Sequence, residues 1–151
     1  MSQQGIPLLC LSIVAVGAIA VYRGVGFNQA QATVAGQKVM GISRRPGASG
    51  TELEVVTKGT AVCEAGAAIA VGAALAMDAA GRVITASALT GAVGTLAVAA
   101  GGTAVTSAVA NGAGSVSGAP TFTGGDLPQY IVGYALQAAG AAGEFIEILM
   151  N

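Results

Sequence analysis

The chain has 151 residues, the length of one domain, and it is poor in ionic groups. Charged residues make up 9% of it, whereas a soluble domain usually carries about 25%. Six Lys and Arg against seven Asp and Glu leave a net charge of −1, which argues against direct binding to a nucleic-acid backbone.

Residue types that perform catalysis or hold cofactors are also scarce. The chain has no histidine, the commonest general base and metal ligand. Glu52 and Glu54 lie two residues apart, which fits a solvated strand face better than a pair of catalytic acids. The glycine-rich residues 91–102 lack the lysine of a phosphate-binding loop. We therefore expect no enzymatic activity, no cofactor and no metal ion.

The two cysteines, Cys10 and Cys63, are far apart in the sequence. A single disulfide could join them, but two cysteines are too few for a disulfide scaffold. The favoured interpretation is two free thiols that pack as small hydrophobic side chains in a reducing cytosol.

Small residues dominate the composition, with 33 alanines and 24 glycines among the 151 residues. A protein surface built from such residues carries few charges to repel neighbouring molecules. Exposed apolar patches usually mark contact surfaces. We therefore expect the protein to act within an assembly of protein subunits.

An extended N-terminal arm is predicted for residues 1–10, ahead of a single β-rich domain at 11–151. The arm begins with polar residues, Gly5 gives it flexibility, and Pro7 is unfavourable in a central strand. An arm of this kind can add a strand to the sheet edge of a partner, where backbone hydrogen bonds supply much of the affinity.

The domain is predicted to be all-β, folded as a small barrel or sandwich. Valine and isoleucine outnumber leucine, and glycine recurs too often for long helices. A hairpin is expected around Asp78–Gly81, where Gly81 can supply the positive φ of a tight turn. The other predicted strands cover residues 11–15, 18–25, 38–43, 51–57, 59–64, 130–136 and 144–150.

Residues 87–125 form a distinct segment that is rich in Gly, Ala, Ser, Thr and Val and contains no charge. The segment is interpreted as a long loop or a β-rich insertion within the domain. Its composition also favours an alternative function, a fibre or adhesin-like surface module.

A second alternative is a small membrane protein that uses residues 6–22, which carry no charge. This run of 17 residues is at the short end of what a membrane-spanning helix needs. No Lys or Arg precedes it, and its β-branched residues favour strands. A pair of buried strands is the preferred interpretation, with no membrane partner.

Five segments, taken in order, have the residue pattern of a known family. They are GIPLL (5–9), AIAVYR (18–23), GTAVCEAG (59–66), VGAALAMDAAGRV (71–83) and VGYALQAAGAAGEFIEI (132–148). In this pattern the chain resembles the capsid cement, or head decoration, proteins of tailed phages, over residues 5–86 and 128–150. Residues 87–125 depart from the shorter family pattern.

The resemblance implies a small β-rich structural protein, commonly a homotrimer, on the outer capsid surface of the virion. It would be made in the host cytoplasm and would bind the major capsid protein where its subunits meet, stiffening the shell. Two regions are the candidate capsid contacts. One is the arm, and the other is a pair of consecutive arginines in the loop after the predicted strand at 38–43, since Arg is enriched at interfaces. The candidate residues are Gln3, Gln4, Ile6, Pro7, Leu8, Leu9, Arg44 and Arg45.

Overall fold

The computed structural model describes residues 4–87 and 129–151, and these residues form β-strands and turns with no helix among them. The predicted all-β class is confirmed. The strands are β1 (Pro7–Val14), β2 (Gly24–Gly26), β3 (Val39–Ser43), β4 (Glu52–Glu64), β5 (Ala74–Met77), β6 (Val83–Thr85), β7 (Gly133–Ala135) and β8 (Phe145–Met150). The predicted insertion at 87–125 lies almost entirely outside the described residues.

All eight strands belong to one antiparallel sheet in the order β2-β3-β4-β8-β7-β5-β6, with β1 paired to β4 beside this path. The sheet curls until its ends meet. The Gly24 amide of β2 donates to the Gly81 carbonyl at 2.7 Å, and the Gly36 amide donates to the Met77 carbonyl of β5 at 2.8 Å. Because these bonds join the two ends of the path, the sheet is a nearly closed, barrel-like structure.

The long strand β4 organises the sheet, since it pairs with β1, β3 and β8. Its side chains alternate between two apolar clusters on opposite faces, with Val56 in the larger cluster and Val55 and Leu53 in the smaller one. Farther along, Ala61 of β4, Ile148 of β8 and Ala135 of β7 stand opposite one another and are all buried. Residues that alternate in this way on neighbouring strands bury one face of the sheet.

The predicted strands at 38–43, 51–57, 59–64 and 144–150 and the hairpin at Asp78–Gly81 are observed with small shifts in their ends. The hairpin turns at Gly81, which has φ 73°. The predicted break before Gly59 is a bulge within one continuous strand, where Gly59 has φ 102°. The strand predicted at 130–136 is shorter, limited to Gly133–Ala135.

The prediction of a buried strand pair at the N-terminus is wrong. The first strand begins at Pro7, and most of its side chains are exposed. The predicted strand at 18–25 is mainly a turn, because Tyr22 adopts φ 59° and only residues 24–26 are extended. Ile19 makes a single bridge to Gly47 instead of a ladder. A left-handed tyrosine is uncommon and cannot be foreseen from residue preferences.

Both cysteines are free, as the sequence analysis expects. Cys63 is fully buried in the larger apolar cluster, and its Sγ donates to the Tyr22 carbonyl at 3.2 Å. Burial raises the pKa of the Cys63 thiol from 9.0 to about 12, because the thiolate would lose its hydration. Cys10 is partly exposed in β1.

The raised pKa of Cys63 predicts a loss of stability at alkaline pH. The unfolded chain releases this proton near pH 9.0, whereas the folded chain keeps it until about pH 12. Within that window the free energy of unfolding should fall by about 1.4 kcal/mol per pH unit through this group, and below it the group contributes no pH dependence. Urea unfolding of wild type and Cys63→Ala across the window isolates the effect, since other groups titrate equally in both. A constant difference between the two would contradict the prediction.

A second prediction concerns close packing of backbone at β7. A Cβ atom on Gly133 would collide with the Leu149 carbonyl oxygen in the neighbouring strand. Gly133→Ala should therefore lower the free energy of unfolding by about 1–3 kcal/mol, as overpacking does. Gly5→Ala is the matched control, because a Cβ there meets nothing closer than 3.7 Å. Equal stability of the two variants in urea unfolding would contradict the close contact between Gly133 and the Leu149 carbonyl.

Candidate functional site

Most of the predicted contact residues lie at the start of β1 or just before it. Gln4 and Ile6 precede the strand, and Pro7, Leu8 and Leu9 begin it. Leu8 is 80% exposed and Ile6 59% exposed, so both present large apolar side chains to the surface. Gln3 lies outside the described residues.

Residues 4–6 are tied to the sheet by hydrogen bonds through Thr60. The Ile6 amide donates to Thr60 Oγ1 at 2.8 Å, and the Thr60 amide donates to the Ile6 carbonyl at 2.9 Å. Thr60 Oγ1 also donates to the Gln4 carbonyl at 3.2 Å. Residues 7–10 of the predicted arm are paired with β4. The structure therefore holds the backbone at Ile6 and Leu8 against β4, while both side chains stay exposed.

The second edge of β1 has no strand partner among the described residues, because β4 is its only pairing. The direction of its backbone groups follows from two hydrogen bonds. The Ala15 amide, two residues beyond Ile13, donates to the Thr51 carbonyl at 2.9 Å, on the side of β4. The Glu54 carbonyl of β4 accepts from the Arg44 amide and therefore points away from β1. Because backbone groups alternate along a strand, Leu11 and Ile13 point toward β4.

The same alternation directs the amide and carbonyl groups of Ser12 and Val14 to the open side of β1. We call the backbone of Ser12–Val14 on that side the free edge. Three exposed apolar side chains of β1 accompany it, with Leu9 48%, Leu11 42% and Val14 49% exposed. Ile13 lies between them and is buried in the smaller apolar cluster. A long edge strand with apolar side chains and no charge is a ready template for another strand.

The predicted basic pair lies across β4 from β1, not next to Leu8. Arg44 forms an exposed ion pair with Glu54 at 3.5 Å, and Arg45 donates to the Glu52 carbonyl at 3.2 Å. Glu54 stands opposite Ser12 in the ladder, whereas Gly59 stands opposite Pro7. Five residues of strand separate these positions, or about 17 Å. The structure therefore places the two predicted contact regions at opposite ends of the same strand pair.

A pocket of about 310 Å³ opens beside the free edge. Its lining combines β1 with one residue of β4 and one of the loop after β2: Ser12, Ile13, Val14, Gln29 and Glu52. Glu52 is exposed, and its carboxylate makes no ion pair or hydrogen bond within the described residues. The neighbouring acid Glu54 differs in this respect because Arg44 neutralises it.

A row of exposed side chains crosses the outer face of the sheet. Thr60 of β4, Leu149 of β8 and Tyr134 of β7 stand opposite one another, and Leu149 and Tyr134 are each 44% exposed. Directly opposed residues of neighbouring strands share one face of the sheet. The Ile6 amide is hydrogen-bonded to Thr60, so Ile6 adjoins this row. The sequence alone does not give the strand register that assembles this row.

Tyr130 lies elsewhere, next to a lysine. The ammonium of Lys38 sits 5.6 Å from the Phe27 ring centroid and 5.8 Å from that of Tyr130, in cation–π geometry. The predicted strand at 130–136 would place Tyr130 and Tyr134 on one face of the sheet. Tyr130 instead precedes β7, which begins at Gly133.

Within residues 4–87 and 129–151, no three His, Cys, Asp or Glu side chains come together as a metal site would require. The same part of the chain contains no helix with the length and apolar character needed to cross a bilayer. Residues 6–22, the membrane alternative, form β1 and the turns that follow it.

Comparison with known proteins shows a similarity in fold. No family model and no curated protein matches the chain. Among solved structures, the chain is similar to the crystal structure of the head fiber gp8.5 N base in bacteriophage phi29, with a TM-score of 0.56 and 14% sequence identity. The similarity covers 95% of this chain and 93% of that one. At this identity the likeness establishes a shared fold.

Proposed function

We propose that the chain is a structural, non-enzymatic protein of a phage head that binds the outer surface of the capsid and stabilises contacts between major capsid protein subunits. The observation that carries this proposal is the exposed apolar strand β1, with its unpaired edge and the protruding Leu8. The fold supports it, because a protein with the same fold is described as the base of a phage head fiber.

The apolar surface around β1 provides the binding energy in this proposal. Full burial of one leucine side chain contributes about 1.5–3 kcal/mol, which corresponds to at least about tenfold in affinity. The backbone of Ile6 is held by the Thr60 hydrogen bonds and Leu8 lies in the paired strand β1, so little backbone entropy is lost on binding. The outer row through Leu149 and Tyr134 extends the same surface across the sheet.

Stabilisation of the shell would be mechanical. A protein that contacts two capsid subunits at once adds interface area that must be lost before those subunits separate. If the protein is a homotrimer, as the sequence resemblance implies, three such contacts act together and gain through effective concentration. The pressure of packed DNA is then resisted by interfaces outside the shell as well as within it.

A second candidate function is the attachment base of a head fibre. The fold similarity favours it, since the similar protein is described as the N base of a head fiber. Both candidates attach to a capsid, but they differ in their effect on the shell. A cement protein raises the temperature at which DNA-filled capsids rupture, whereas a fibre base need not.

Binding to expanded, empty capsids that lack the protein tests the proposal. Cryo-electron microscopy of the mixture should show density at regular positions on the outer surface, and thermal rupture of filled capsids should shift upward when the protein is added. Regular density without a thermal shift would favour the fibre base. Absence of binding at protein concentrations that saturate comparable complexes, about 1 μM or more, would reject both functions.

Leu8→Asp is the sharpest single test of the contact surface. Leu8 is 80% exposed, so the variant should fold normally but bind capsids at least about tenfold more weakly, because a charge replaces an apolar contact. Val71→Asp is the matched control, since Val71 is 64% exposed on the turn between β4 and β5. Wild-type affinity of Leu8→Asp in a capsid co-sedimentation titration would remove this residue from the contact.

A further inference from the structure

We propose that the free edge of β1 is the docking site for an extended segment of the capsid subunit that carries a lysine or arginine. In this arrangement the segment pairs through its backbone with Ser12 and Val14, and its cation lies beside Glu52. The identity of the partner rests on the proposed function. The docking geometry rests on the β1 edge itself.

Within residues 4–87 and 129–151, the backbone groups of the free edge have no hydrogen-bond partner. The hydrogen bonds of Ala15 and Glu54 show which backbone groups of β1 and β4 point toward each other. The amide and carbonyl groups of Ser12 and Val14 therefore point away from β4. The free edge ends where the Val16 amide donates to the Gln29 carbonyl at 2.9 Å. The free edge therefore has room for a short added strand.

Protective features that usually block edge strands are missing at this position. Natural edges carry charges, prolines or bulges that discourage pairing. Here no charged residue occurs before Arg23. The register shifts of β1 are confined to Pro7–Cys10, so the ladder from Cys10 to Val14 is regular. An unprotected, regular edge of this kind is suited to strand addition by a specific partner.

Glu52 supplies the charge that selects the occupant. It stands opposite Val14 in the ladder, so both side chains project from the same face of the sheet. A strand added beside β1 lies about 10 Å from β4. Lysine and arginine can lay their apolar stems along a neighbouring side chain and still place the charge in water. The stem of such a residue would cover Val14, and its charge would meet the Glu52 carboxylate at the pocket.

The neighbouring acid cannot play this part equally well. Arg44 already forms an ion pair with Glu54 at 3.5 Å, whereas the Glu52 carboxylate has no cation among the described residues. Two exposed acids on one strand face thus differ in whether a cationic partner is present and in whether they line the pocket. This difference provides a matched pair of variants for the charge component of the proposal.

Ser12→Pro tests the backbone component. Proline removes the outward amide of Ser12 and places its ring on the free edge, but it leaves the bonds of Leu11 and Ile13 to β4 intact. Capsid affinity should fall at least about tenfold, by loss of the added strand. Ser12→Thr keeps the amide and should bind within about twofold of wild type. Circular dichroism and thermal unfolding of each variant establish that the fold is retained.

Glu52→Gln tests the charge component and remains informative if Ser12→Pro does not fold. Glu52→Gln should weaken capsid binding by about three- to tenfold and reduce its dependence on salt concentration, because an ion pair is lost. Glu54→Gln should change the affinity by less than about twofold, since Glu54 is already paired with Arg44. Equal effects of the two substitutions would overturn the assignment of the cation to Glu52.

The outcomes separate this inference from the function on which it rests. If wild type does not bind capsids, the proposed function fails. If wild type binds and folded Ser12→Pro binds equally well, the function stands and the docking site is wrong. If Ser12→Pro instead turns an oligomeric wild type into a monomer in sedimentation equilibrium, the free edge is occupied by a second copy, and the inference of a capsid segment is overturned.

Discussion

The pairing of β4 with three other strands is the constraint on which the rest of the structure depends. In its first half Leu53 and Val55 are buried in the smaller apolar cluster, whereas Glu52 and Glu54 on the opposite face are exposed, and β1 closes one of its edges. Among residues 4–87 and 129–151, no strand pairs with the remaining edge of β1, and the barrel-like sheet closes elsewhere, between β2 and the β5–β6 hairpin. In this part of the chain, β1 therefore has one paired edge and one edge without a strand partner.

The scarcity of charge has a structural counterpart. Of the few ionic side chains, several are paired within the domain, and the Arg23–Glu64 pair is largely enclosed, at 2.5 Å. This pair also joins the turn before β2 to the end of β4 and, through a bond from Arg23 to the Ala80 carbonyl, to the β5–β6 turn. Charged side chains that are paired inside the domain do not repel other molecules from its surface. The apolar strand β1 carries no charged side chain and is largely exposed.

Sequence patterns predicted the strands and turns that are determined by residues close together in the sequence. Alternation identified the strand at 51–57, and Asp78 with Gly81 identified the β5–β6 hairpin. The turn at Tyr22 was not predicted, because a left-handed tyrosine is imposed by tertiary contacts. Ile6 and Leu8 were predicted as contact candidates because they lie in the N-terminal arm. The free edge at Ser12 was not, since the side on which an amide points depends on register with β4.

Amide hydrogen exchange resolved to single residues tests the central claim, that β1 has one paired and one open side which a capsid covers. In the free protein, Leu11 and Ile13 should exchange slowly because they donate to β4, and Ser12 and Val14 should exchange rapidly. On capsids, Ser12 and Val14 should become protected. Slow exchange of Ser12 and Val14 in the free monomer, or no change in their rates on capsids, would contradict the account.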